Sequence, residues 1–140
     1  MTLTKYFTLT ALFLFGVIVL FHPPSDPDFG WHFKYGEYMV QHQQFLRQNI
    51  FSYTNTDYTW ANSYWLFDIG IYSLYNNFGA PFSGIILSAL ISFLVLKFIT
   101  KHTHNLVTAS FVFVFTIVIL MTFNISIRPF MVSTLLLLFF

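Results

Sequence analysis

The sequence predicts an all-α integral membrane protein with three full transmembrane helices, an incomplete fourth, and a large outer loop carrying two juxtamembrane helices. Three observations lead to this class. Of 140 residues, 56% are hydrophobic and only 8% are charged, against about 25% charged in an ordinary soluble domain; the mean hydropathy is +0.68. The apolar residues gather into runs of the length a bilayer requires. The polar residues gather into one island, His22 to Trp65, which holds four of the five acidic residues, all three tryptophans and three of the five histidines. The whole chain, 1–140, reads as the N-terminal part of one polytopic membrane domain.

The first run, Leu3–Phe21, is interrupted only by Lys5, three threonines and Gly16. At roughly 1.5 Å per residue it covers about 30 Å. A signal peptide would use Met1–Lys5 as its basic region and Tyr6–Phe21 as its apolar region. However, His22-Pro23-Pro24 follows where a small-x-small cleavage site is needed, so the run reads as an uncleaved anchor. The second run is Pro81–Phe98, opened by Gly79-Ala80-Pro81, with proline in the first turn where its missing N–H costs nothing. The third, Leu106–Phe123, carries no charge. Between these two, Lys97 to His104 forms a short basic connection, and short Lys-rich connections stay cytoplasmic. That places the N-terminus with Lys5 inside and the loop 22–80 outside, where Lys34 and Arg47 are outnumbered by five acids. A fourth apolar run, 129–140, is about half a span long. It reads as the start of a helix in a longer protein, with a re-entrant tail as the alternative.

Within the outer loop, Asp26-Pro27 has the form of a helix start, Asp26 as N-cap and Pro27 at the first helical position. Trp31, Tyr35, Tyr38, Met39, His42 and Phe45 then fall on one stripe of a 3.6-residue period, as in a helix lying in a membrane interface. Arg47–Thr59 is polar, β-branched and Asn-rich and reads as an irregular crossing. Asn62 or Ser63 can cap a second helix, Tyr64–Phe78.

The candidate site residues come from this loop. Asp26 is a cap or a catalytic carboxylate. Asp28 suits either the favourable field of a helix start or a functional role. His32, beside Trp31, is a solvated interfacial histidine or a ligand-binding donor, while Glu37 reads as a solvated helix face. Asp68 lies between Phe67 and Ile69 on an almost apolar helix, where an acid is costly and points to function. Arg128, before Pro129, either snorkels or faces a phosphate. No metal motif stands out, since His102 and His104 are two apart in a loop. A formal charge of +1 argues against nucleic acid, and the absence of cysteine excludes disulfides and thiolate metal sites.

Taken together, DPDFGWH at 26–32, Gly36, FSYT at 51–54, Trp60, Trp65-Leu66 and Arg128-Pro129 resemble the N-terminal part of a family of polytopic bacterial membrane proteins similar to the GT-C glycosyltransferases. The resemblance implies eight or more spans and a large first outer loop with two juxtamembrane helices. It also implies a lipid-linked sugar donor and an early loop acid, at Asp28 or Asp26, that acts as base or orients substrate. On that reading His32, Trp31, Trp60, Trp65, Asp68 and Arg128 contact substrate, the leaving group is a polyprenyl phosphate, the partners are membrane lipid and the donor, and a divalent metal is left open. This chain departs from the family at Ser63-Tyr64, where His-Glu is usual. The competing class is a non-enzymatic membrane protein, an assembly partner or transporter segment, whose outer loop binds another protein.

Overall fold

In the computed structural model, residues 2–21, 27–48, 50–51, 53–54, 59, 63–122, 129 and 132–133 are described. They form four helices in the order α1 (Thr2–Leu20), α2 (Phe29–His42), α3 (Trp65–His102) and α4 (Leu106–Thr122). No strand occurs among the described residues; an isolated antiparallel bridge joins Gln48 to Thr59 within the irregular crossing. The all-α class stands. Both α1 and α3 are long and apolar enough to cross a membrane, whereas α4, at 17 residues, is apolar but shorter. The expected third span corresponds to α4. Of the expected fourth, only Pro129, Val132 and Ser133 are described, all helical.

Backbone contacts divide the chain into two compact units: Met1–Ser25 with Ala80–Phe140, and Asp26–Gly79. The division falls inside α3, where Gly79 leaves the helical basin at φ 72°, ψ 167°. A side chain is strained at such a φ, which explains glycine there, and Pro81 can begin the next helical stretch because a first turn needs no N–H donor from it. The two helices expected from the sequence on either side of Gly79-Ala80-Pro81 are therefore both present.

In the apolar unit, α1 packs against α4. Leu20, Val95, Leu96, Ile99, Ala109, Phe113 and Ile117 form a core from α1, the 80–102 stretch and α4. Gly16 marks the tightest approach, because a Cβ there would collide with Ser92 Oγ and lie 3.0 Å from the Phe113 ring. Ser92 Oγ donates to the Phe13 carbonyl oxygen at 3.0 Å, tying α1 to α3. Gly84, Ser88 and Ser92 recur every four residues, and Ser83, Ser88 and Ser92 are buried. Small residues at this spacing let backbones approach closely when no water-driven apolar contrast is available. The outer faces are the reverse: Phe7 of α1 is 75% exposed and Phe111 of α4 is 74% exposed.

The predicted boundaries need three corrections. First, α2 starts at Phe29 with Asp28 in the N-cap position and without a capping side-chain bond. Pro27 precedes the helix, and Asp26 lies outside the described residues. The Asp28 carbonyl oxygen begins the helix by accepting from Trp31 and His32 N–H at 3.0 and 3.2 Å. Second, α2 ends at His42 because Gln43 turns left-handed, at φ 53°. The aromatic stripe thus loses Phe45, which follows the helix. Third, the 80–102 stretch carries Lys97 and Lys101 inside the helix, leaving only Thr103–Asn105 as connection. Cations in a last turn favour the helix dipole, and Asn105 Oδ1 accepts from Val107 N–H at 2.9 Å to cap α4.

Candidate functional site

In the polar unit, α2 and the first half of α3 run antiparallel: Phe29 meets Tyr75 and Phe33 meets Tyr72, at ring centroid distances of 4.9 and 5.3 Å. Further along, Gly36 lies against Asp68. The sequence dictates this approach. A Cβ on Gly36 would collide with the Asp68 carbonyl oxygen and stand 2.7 Å from Tyr72 Cβ, so only glycine lets the helices come this close. Tyr35, Met39 and Leu46 are buried together, with Tyr38, Phe51 and Ile69 packed against them.

One turn before Gly36, the close approach brings two polar side chains together. His32 Nδ1 lies 2.6 Å from Asp68 Oδ1. Asp68 is 2% exposed and the His32 side chain 16%. A buried carboxylate is costly unless it is hydrogen-bonded and charge-compensated. Here the His32 Nδ1–H supplies the hydrogen bond, and Asp68 sits in the first turn of α3, where the helix dipole favours negative charge. A ring that engages a carboxylate through Nδ1 has Nε2 left for a further partner. The His32 ring is fixed edge-on by Phe67 at 5.1 Å and by Tyr64 at 6.1 Å. Beside the pair, burial pushes the Tyr35 phenol above its usual value, and the Asp68 carboxylate adds to the shift by disfavouring a second anion.

The structure thus joins two residues that the sequence singled out separately, His32 and Asp68. Asp28 is exposed at the head of α2, one turn before His32. Glu37, read as solvated, pairs with Lys34 across one turn at 2.5 Å. The Trp65 ring packs edge-on against Phe45 at 5.5 Å. Trp31 stacks on Tyr35 at 6.3 Å and meets Phe51 edge-on at 6.2 Å. Asp26, Trp60 and Arg128 lie outside the described residues. Among the described residues no three His, Cys, Asp or Glu side chains gather as metal ligands.

A second feature was not foreseen. A cavity of about 340 Å³ is lined by Pro27, Gly30, Trp31, Lys34 and Phe51. Gly30, Trp31 and Lys34 are brought to it by α2, Pro27 by the turn before that helix, and Phe51 by the irregular crossing. Neither a protein-family model, nor a curated protein, nor a solved structure matches this chain.

Proposed function

We propose that this chain is part of a polytopic membrane glycosyltransferase that moves a sugar from a polyprenyl-phosphate-linked donor to an acceptor on the outer side of a bacterial plasma membrane. The observation that carries the proposal is the buried His32–Asp68 pair, set one helical turn from the exposed carboxylate of Asp28. In glycosyl transfer from a phospholipid carrier a carboxylate takes the acceptor hydroxyl proton as the acceptor oxygen bonds to the anomeric carbon, while the bond from that carbon to the phosphate oxygen breaks and polyprenyl phosphate leaves. Asp28 is assigned that role, and Asp68 is a positioning residue that orients His32 through Nδ1. The sequence resemblance supports the sugar-donor class. Membrane residence is supported by the exposed apolar faces of α1 and α4, Phe7 and Phe111 among them, and by the small residues Gly84, Ser88 and Ser92 along one side of α3, as expected where the solvent is lipid. Lys97 and Lys101 on the last turns of α3, with Lys5 near the start of α1, support cytoplasmic ends for those helices and an outer position for residues 26–79.

The test is transfer of labelled sugar from a polyprenyl-phosphate donor by membranes containing the full-length protein. Asp28→Asn is expected to reduce transfer by roughly 10²–10⁴-fold, with the protein still inserted. A helix-start role alone would cost only about 1 kcal/mol. Near-normal transfer by Asp28→Asn would show that another group is the base. If Asp28→Asn, His32→Ala and Asp68→Asn all transfer normally, the enzymatic reading fails and a protein-binding role for the polar unit takes its place.

A further inference from the structure

The cavity beside α2 has a defined chemistry. Gly30 is one of its lining residues, and an added Cβ there would meet nothing within 4 Å. One wall is Trp31, 42% exposed yet held by Tyr35 and Phe51. A flat, immobilised and partly exposed indole presents a π-face without an ordering cost on binding. The polar edge is Lys34; Glu37, which pairs with its ammonium, stands next to the lining residues and is not one of them. The volume, about 340 Å³, sits at the small end of ligand pockets, which run from about 300 to 1,000 Å³.

These features choose among ligands. An apolar ring face is needed to cover Trp31. A donor and an acceptor side by side, Lys34 and Glu37, match neighbouring hydroxyls, each of which both gives and takes a hydrogen bond. The Lys34 charge is already balanced, and Asp28 adjoins Pro27 in the chain, so the edge offers no excess positive charge for a phosphate. We infer that this cavity is a subsite for one neutral hexopyranose ring, its C–H face on Trp31 and its hydroxyls on Lys34 and Glu37. That ring is the acceptor sugar and not the phosphate-bearing donor. The acceptor assignment rests on the transferase reading above; the binding itself does not.

The experiment titrates the full chain in detergent with methyl α-glucopyranoside, galactopyranoside and mannopyranoside, and with the matching hexose 1-phosphates, following tryptophan emission. Parallel titration of Trp31→Phe assigns the signal, since the change is expected to disappear in that variant. At least one methyl glycoside is expected to give a saturable change, with its 1-phosphate binding no more tightly. Gly30→Leu fills the cavity at a site with open space, so circular dichroism should be unchanged while sugar affinity falls at least ~10-fold, about 1.4 kcal/mol. Lys34→Ala, read out the same way, is expected to weaken binding without altering the fold. The inference is overturned if none of the three glycosides binds saturably, if Gly30→Leu leaves affinity unchanged, or if a 1-phosphate binds tenfold more tightly through Lys34. Sugar binding that survives alongside a total absence of transfer supports the subsite and sinks the transferase. Normal transfer by Gly30→Leu with an unchanged acceptor KM does the opposite.

Discussion

Gly36 and Gly70 should respond in opposite directions to the same substitution. Both are helical, so alanine at either gains about 0.5–1 kcal/mol of intrinsic helix preference. At Gly70 nothing lies within 4 Å of the added Cβ, so that gain should appear nearly whole. At Gly36 the Cβ would strike the Asp68 carbonyl oxygen and approach Tyr72 Cβ to 2.7 Å. Backbone atoms cannot rotate away, so α2 and α3 must separate, and overpacking of this kind costs about 1–3 kcal/mol. The net for Gly36→Ala is a loss of about 1–2 kcal/mol, accompanied by lengthening of the 2.6 Å His32–Asp68 bond. Thermal unfolding of purified protein in detergent, followed by circular dichroism, measures both variants. The expected order of midpoints is Gly70→Ala above wild type and Gly36→Ala below. A Gly36→Ala midpoint at or above wild type would refute the close helix crossing that is argued to build the site.

Three further outcomes are expected. The Tyr35 phenol, raised by burial and then by Asp68, should ionise above the usual tyrosine value of 10.0. Its share of stability is then present below about pH 10 and lost as pH rises through the folded value, and Asp68→Asn should lower that value only partly, because burial is the larger cause; ultraviolet titration of wild type, Tyr35→Phe and Asp68→Asn reads this directly. The Tyr75 hydroxyl is buried with no hydrogen-bond partner among the described residues, so Tyr75→Phe should raise stability by about 1 kcal/mol, and a clear loss would reveal an unseen partner. For membrane orientation, cysteine placed at the exposed Tyr53 should react with an impermeant thiol reagent applied to intact cells while cysteine at His104 stays protected, and labelling of His104→Cys from outside would reverse the proposed topology.

The two helical stretches that meet at Gly79-Ala80-Pro81 were legible because glycine and proline act locally, one through a positive φ and the other through a missing N–H. The Trp65 and Phe29 starts were read less well. Several polar residues compete for each cap, and the Asp26-Pro27 pair drew the helix start two residues ahead of the Asp28 N-cap that the structure uses. Gln43 ended α2 early with a left-handed backbone that the composition of the stripe does not announce.

By itself the sequence determined which segments are helical and apolar, and that His32 and Asp68 each deserve suspicion, since an acid amid Phe67 and Ile69 is expensive wherever it folds. Only the tertiary structure decided that these two residues are partners. They are 36 positions apart, and their meeting depends on Gly36 letting one backbone rest on another. The same holds for the cavity over Gly30. An empty volume is a property of what surrounds a residue, and no local pattern of apolar and polar positions encodes where Phe51 will stand relative to Trp31.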